Sequence, residues 1–273
     1  MTTAAQIGSV VSLWRYPVKS MMGEEVNAAD VTDRGLLGDR AYALVDPADG
    51  KVASAKSPRK WPTLLDFRSA LAEAPRTGEN IPPVRITLPD GTIVTNGQSD
   101  LNQILSNVLG RQVTFESTAP EAPTLEEYWP DMEGLDHRET TTDESMPPGT
   151  FFDLAVVHIL TTATIDHLRA LYPQGRFEVR RFRPNIVVQP ASEEKDFVEN
   201  AWIGSTLAIG DEVRLNITGP CPRCVMTTLA QGDLPYDPGI LRAAAQHNQV
   251  NVGVYATVQR VGRICRGDSI KLV

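Results

Sequence analysis

The sequence is short of cysteine, of long apolar runs and of positive charge, and each shortage removes a class of protein. Cys221, Cys224 and Cys265 are too few, and odd in number, to staple a 273-residue chain with disulfides. No run of about 18 apolar residues occurs, so no membrane-spanning helix is expected. The opening MTTAAQIGSVVSLWRY lacks the basic start, apolar centre and small-residue cleavage site of a secretory leader, and a cytoplasmic location is expected. A net charge of −8 argues against general nucleic-acid binding, which draws its affinity from neutralising phosphates. G-x-S-x-G, P-loop, H-E-x-x-H and EF-hand patterns are absent, and no strong carboxylate pair or Ser/His/Asp arrangement replaces them. With 41% hydrophobic and 22% charged residues, the chain has the composition of a folded globular protein.

What is present reads mostly as strand. Val10, Ser12 and Trp14 alternate with Val11, Leu13 and Arg15. Ala41–Val45 and Lys51–Ala55 flank a loop of turn formers, Asp46 to Gly50, and suggest a hairpin. A clearer hairpin joins Val84–Leu88 to Thr92–Thr95 through Pro89-Asp90-Gly91. Three helices are expected. One is capped by Ser99 and stopped by Gly110, a second is capped by Thr162 and ended by Pro173, and a third opens at Asp237-Pro238. Leu207–Leu215 and Ile264–Leu272 each carry Gly-Asp before alternating apolar residues, as barrel corners do. Residues 116–150 are acidic and interrupted by Pro120, Pro123, Pro130, Pro147 and Pro148, the composition of a linker or long surface loop. The expected division is 1–120, a linker or loop at 121–150, and 151–273.

Gly219-Pro220-Cys221-Pro222-Arg223-Cys224 is the most informative hexapeptide. A thioredoxin-like site would need a helix after the pair, and Val225–Leu229 is β-prone. A zinc site would need two further ligands, and Cys265 and His247 do not form a matching pair. Two readings stay open: small buried thiols beside a proline-bent strand end, or one thiolate held for a soft metal.

Five stretches in order resemble the MOSC family and the N-terminal β-barrel domain that accompanies it. They are Tyr16-Pro17-Val18-Lys19-Ser20, Arg34-Gly35-Leu36-Leu37-Gly38-Asp39-Arg40, His158–Ala163, Arg181–Val188 and Cys221–Thr228. The branch they resemble is that of the mitochondrial amidoxime-reducing component and its bacterial relatives. The resemblance implies a mainly β fold with a few helices, an N-terminal barrel-like domain packed on a MOSC barrel. It also implies a molybdenum–molybdopterin cofactor with Cys224 as metal ligand and catalytic residue.

By the same resemblance Lys19, Ser20, Arg40, Arg183 and Asn185 contact the cofactor, whose phosphate suits guanidinium and ammonium donors. Thr161 and Thr162, at a helix start, are further candidates because such a terminus attracts anions. Arg180 to Arg183 read as a strand with Arg181 and Arg183 on one face. His158 reads as a core histidine and Cys265 as core. The implied reaction is two-electron reduction of N-hydroxylated compounds. No four-cysteine iron–sulfur pattern is present, so electrons are expected from a separate ferredoxin- or flavoprotein-type donor. The alternative is a non-catalytic cofactor carrier or sulfur-transfer module, which the second thiol, Cys221, keeps open.

Overall fold

The computed structural model describes residues 5–133, 135 and 137–273. Seven strands close a barrel: Gln6–Arg15, Val157–Thr161, Ile186–Pro190, Thr206–Ile209, Val213–Pro222, Asn251–Arg260 and Ser269–Leu272. Val157–Thr161 and Ile186–Pro190 run parallel, and the other barrel neighbours are antiparallel. Closure depends on the first strand, which hydrogen-bonds Ile186–Pro190 on one side and Ser269–Leu272 on the other. A register shift between Val10 and Ser12 interrupts its alternation, so Val10 and Leu13 both face the core. Val, Ile and Leu fill the interior because inward positions on a small barrel must be packed with side chains.

The N-terminal residues outside that strand form short sheets around a second core, which includes Val18, Met21, Leu44, Trp61, Phe67, Ile86 and Leu105. Val84–Thr87 and Ile93–Thr95 make the expected hairpin, with Gly91 at φ +88°. Ala43–Val45 takes Thr114–Glu116 as its main partner. The expected hairpin with 51–55 is reduced to a bridge between Val45 and Val52, because the Asp46–Gly50 turn leaves the two segments in contact only at its base. Ala28–Thr32 pairs with Gly262–Cys265 from the far end of the chain. The two Gly-Asp corners therefore differ. Gly210 sits in a hairpin between barrel neighbours, whereas Gly267 turns the chain from one sheet into another. Cys265, read as core, is only partly buried on that sheet.

Among the described residues there are four α-helices: α1 (Leu101–Leu109), α2 (Thr162–Leu171), α3 (Val179–Phe182) and α4 (Gly239–Asn248). Each expected helix forms, and the two with an expected cap residue have it displaced by one. Asp100 replaces Ser99, and neither end of α1 needs a side-chain cap beyond the left-handed Gly110. Thr161 replaces Thr162, since its hydroxyl accepts from the Thr164 amide. Pro238 sits at the cap of α4, and Asp237 Oδ1 accepts from the Gly239 amide at 2.8 Å.

Three further expectations are corrected. Arg180 to Arg183 is not a strand: α3 ends in a left-handed Arg183, and Arg181 is buried because its guanidinium meets four backbone carbonyls. Val225–Thr228 is a 3-10 turn with Cys224 at its cap rather than a strand. The acidic segment is not structureless. Thr124–Trp129 and Thr140–Ser145 form an antiparallel hairpin whose charges are drawn to lysines, Glu126 and Asp143 both meeting Lys51 Nζ.

Candidate functional site

Lys19, Ser20, Arg40, Arg183, Asn185 and Cys224, drawn from both ends of the chain, line one cavity of about 640 Å³. The backbone is bent to bring them there. Ser20, Arg40 and Arg183 have φ of +64°, +46° and +53°, and Gln249 and Val250 on the same wall have +50° and +61°. Left-handed conformations at non-glycine residues cost free energy and gather at sites where geometry is over-determined. The run before Arg40 follows the same logic. Gly35 has φ +87°, and a Cβ there would lie 2.3 Å from the Val156 carbonyl oxygen.

The cationic side chains are held rather than loose. Two guanidiniums pack on the Tyr16 ring, Arg40 at 4.5 Å and Arg183 at 4.2 Å from its centroid. Arg40 pairs with Asp39, and Arg183 donates to the Met21 carbonyl at 2.7 Å. Burial, with Arg40 close by, lowers Arg183 to about 10. Lys19 pairs with Asp153 and donates to the Phe151 carbonyl. Burial would raise Asp153, but Lys19, Lys56 and Arg40 outweigh it and hold its carboxyl well below the usual range. Lys56 meets Glu127 at 2.8 Å.

Asn185 lines the cavity, but its amide is spent on protein. It donates to Asp39 at 2.9 Å and accepts from the His158 amide at 3.1 Å. These bonds fix Asp39 and the strand at His158. Ser20 Oγ accepts from the Ala55 amide at 3.1 Å. Thr161 and Thr162 are not brought to the cavity. Thr161 is buried and donates to Glu199 at 2.6 Å, while Thr162 donates to Gln189.

The thiols separate sharply. Cys221 is fully buried and accepts from Arg223 Nη1 at 2.7 Å. Cys224 is partly exposed into the cavity, and burial together with nearby Glu127 pushes its thiol up to about 11. Of the two, Cys224 is the thiol open to the cavity. The site also takes in Lys56, Glu127, Asp153, Arg223 and Tyr255, which sequence reasoning did not single out. Arg223 stands inside the cysteine motif and was the one within reach. The others lie in segments with no motif.

The donor set suits one kind of group. Among the described residues, no cluster of three or more His, Cys, Asp or Glu side chains could hold a metal ion. A metal here would need ligands of its own beyond the Cys224 sulfur. Lys19, Arg40, Lys56, Arg183 and Arg223 line the same space, and Arg223 Nε is buried without a hydrogen-bond partner among the described residues. A sulfur-rich cofactor carrying a phosphate fits both features.

Comparison with known proteins identifies the family. Residues 7–119 match the MOSC N-terminal beta barrel domain and residues 148–271 match the MOSC domain. Mitochondrial amidoxime reducing component 2 of Macaca fascicularis is 28% identical, over 97% of this chain and 83% of its own. The Homo sapiens protein of the same name is 26% identical over the same shares. Molybdenum cofactor sulfurase of Homo sapiens is 21% identical over 90% of this chain and 29% of its own. Two matched domains in order, spanning nearly the whole chain and meeting at one cationic, thiol-bearing cavity, make this chain a member of the MOSC family that carries the family's N-terminal β-barrel domain.

Proposed function

We propose that this chain is a molybdenum-cofactor-binding oxidoreductase that reduces N-hydroxylated compounds with electrons from a separate donor protein of ferredoxin or flavoprotein type. The observation that carries the reading is the convergence of Lys19, Arg40, Arg183 and Cys224 on one cavity from segments more than a hundred residues apart. Relatives named as amidoxime reducing components supply the substrate class. Three free thiols suit a reducing compartment, and a cytoplasmic location belongs to the same reading.

Cys224 would hold the metal through sulfur, and Lys19, Arg40 and Arg183 would hold the phosphate of the pterin. When bound, the molybdenum cofactor supplies two-electron chemistry able to take oxygen from an N–OH group. The protein's part is to bind and orient. Tyr16 packs against both guanidiniums, and Asp39, held by Asn185, keeps Arg40 in place.

Protein made in a molybdopterin-producing host should contain about one molybdenum per chain, and Cys224→Ala should lose it. Equal metal in the variant removes Cys224 from the ligand role. A loaded, chemically reduced protein that turns over no hydroxylamine or amidoxime removes the reductase reading in favour of a carrier.

A further inference from the structure

The cavity has two unlike parts. Its floor is buried and cationic, made by Lys19, Ser20, Arg183, Asn185 and His158. Its rim is more exposed and comes largely from the hairpin Thr124–Ser145, through Trp129, Glu144 and Ser145, with Leu154 opposite. Strand alternation puts Leu125, Glu127 and Trp129 on the inner face, opposite Glu144, Thr142 and Thr140. Two of those inner residues are already committed. Leu125 packs with Ala43, Val52 and Phe151, and Glu127 is paired with Lys56.

Trp129 and Glu144 are not committed in that way. The Trp129 indole is anchored by its N–H to Thr142 Oγ1 at 2.7 Å and by the His137 ring, edge-on with centroids 5.1 Å apart, yet it stays partly exposed. Thr142 in turn donates to Glu144 at 2.6 Å, and among the described residues Glu144 has no cationic partner. Every other acidic side chain of the lining, Glu127 and Asp153, is neutralised by a lysine. The hairpin lies between the two matched regions, 7–119 and 148–271.

We propose that the hairpin selects the substrate, with Trp129 stacking on a planar apolar body and Glu144 pairing with a positive charge beside it. The inference rests on the reductase reading and narrows it to N-hydroxylated compounds that are planar, aromatic and cationic. A fixed aromatic ring and an unspent carboxylate, linked through Thr142, together present the complement of such a molecule.

The test uses phenylguanidinium and its neutral isostere phenylurea, titrated by calorimetry into the full-length protein as purified from a molybdopterin-producing host. Phenylguanidinium should bind roughly threefold to fivefold more tightly than phenylurea, the upper range for a solvent-accessible charge pair. Glu144→Gln should abolish that preference and leave phenylurea unchanged. Trp129→Ala should weaken both, and Trp129→Phe should retain both.

Equal affinities, tighter phenylurea, no binding of either, or a preference that survives Glu144→Gln each overturn the proposal. The reductase reading is tested apart from this. Turnover of N-hydroxylated compounds without cation preference sinks the selection and leaves the reductase standing. Cation preference without turnover does the reverse.

Discussion

Arg181 shows how much a single buried charge organises. Its guanidinium donates to the carbonyls of Arg176, Thr227, Leu229 and Pro235, tying α3 to the chain that follows Cys224. Arg181→Met keeps the length and leaves those carbonyls without donors. It should cost at least about 3 kcal/mol in urea unfolding, since each lost bond to a charged group is worth about 1.5–3 kcal/mol. Retained molybdenum should fall with it. His158 carries a pH signature. Burial, helped by Arg223, lowers it to about 3, against about 6.5 in an unfolded chain. Below 6.5 the unfolded chain therefore takes up a proton that the folded one refuses. The stability contribution is full above that pH and drains away as pH falls toward 3. Urea midpoints from pH 7 to pH 4 should decline, and more shallowly in His158→Gln. The sequence marked Arg183 and His158 by motif. It did not mark Arg181 as structural, because burial depends on which carbonyls arrive beside it.

At the scale of elements, caps and turns were legible to within a residue. Gly91 and Gly110 take positive φ as their turn and helix end require. The cap of α2 moved to Thr161 because that hydroxyl also reaches Glu199, a buried carboxyl that needs donors. Thr161→Val should lose about 1–2 kcal/mol for the cap, and more for leaving Glu199 one donor short. Thermal unfolding checks it, and a loss no greater than that of Thr162→Val would contradict this assignment. The acidic hairpin was the least legible element. Its prolines and charges read as a loop, yet Lys51 and Lys60 from another segment meet Glu126, while Leu125 finds an apolar cluster. Composition reports average solvation, and it cannot report partners supplied from seventy residues away.

For the whole molecule, the decisive contact is the insertion of Gln6–Arg15 between Ile186–Pro190 and Ser269–Leu272. The MOSC match begins at residue 148, but the barrel that bears it is closed by residues from the other matched domain. A fragment of residues 121–273 is therefore expected to lack cooperative unfolding, since an open barrel exposes two strand edges and its apolar interior. Co-expression with residues 1–120 should restore it. A fragment that unfolds cooperatively alone would show the first strand to be dispensable.

By itself the sequence determined the mainly β character and the positions of turns and helix ends. These are local or motif-borne properties, set by φ preference, side-chain period and residue chemistry. Tertiary structure alone decided which strand closes the barrel, which of two thiols faces open space, and that an acidic loop becomes a wall of the cavity. Those outcomes depend on which distant segments share a hydrogen-bonded edge or a buried charge, and neither is written in any one stretch of chain.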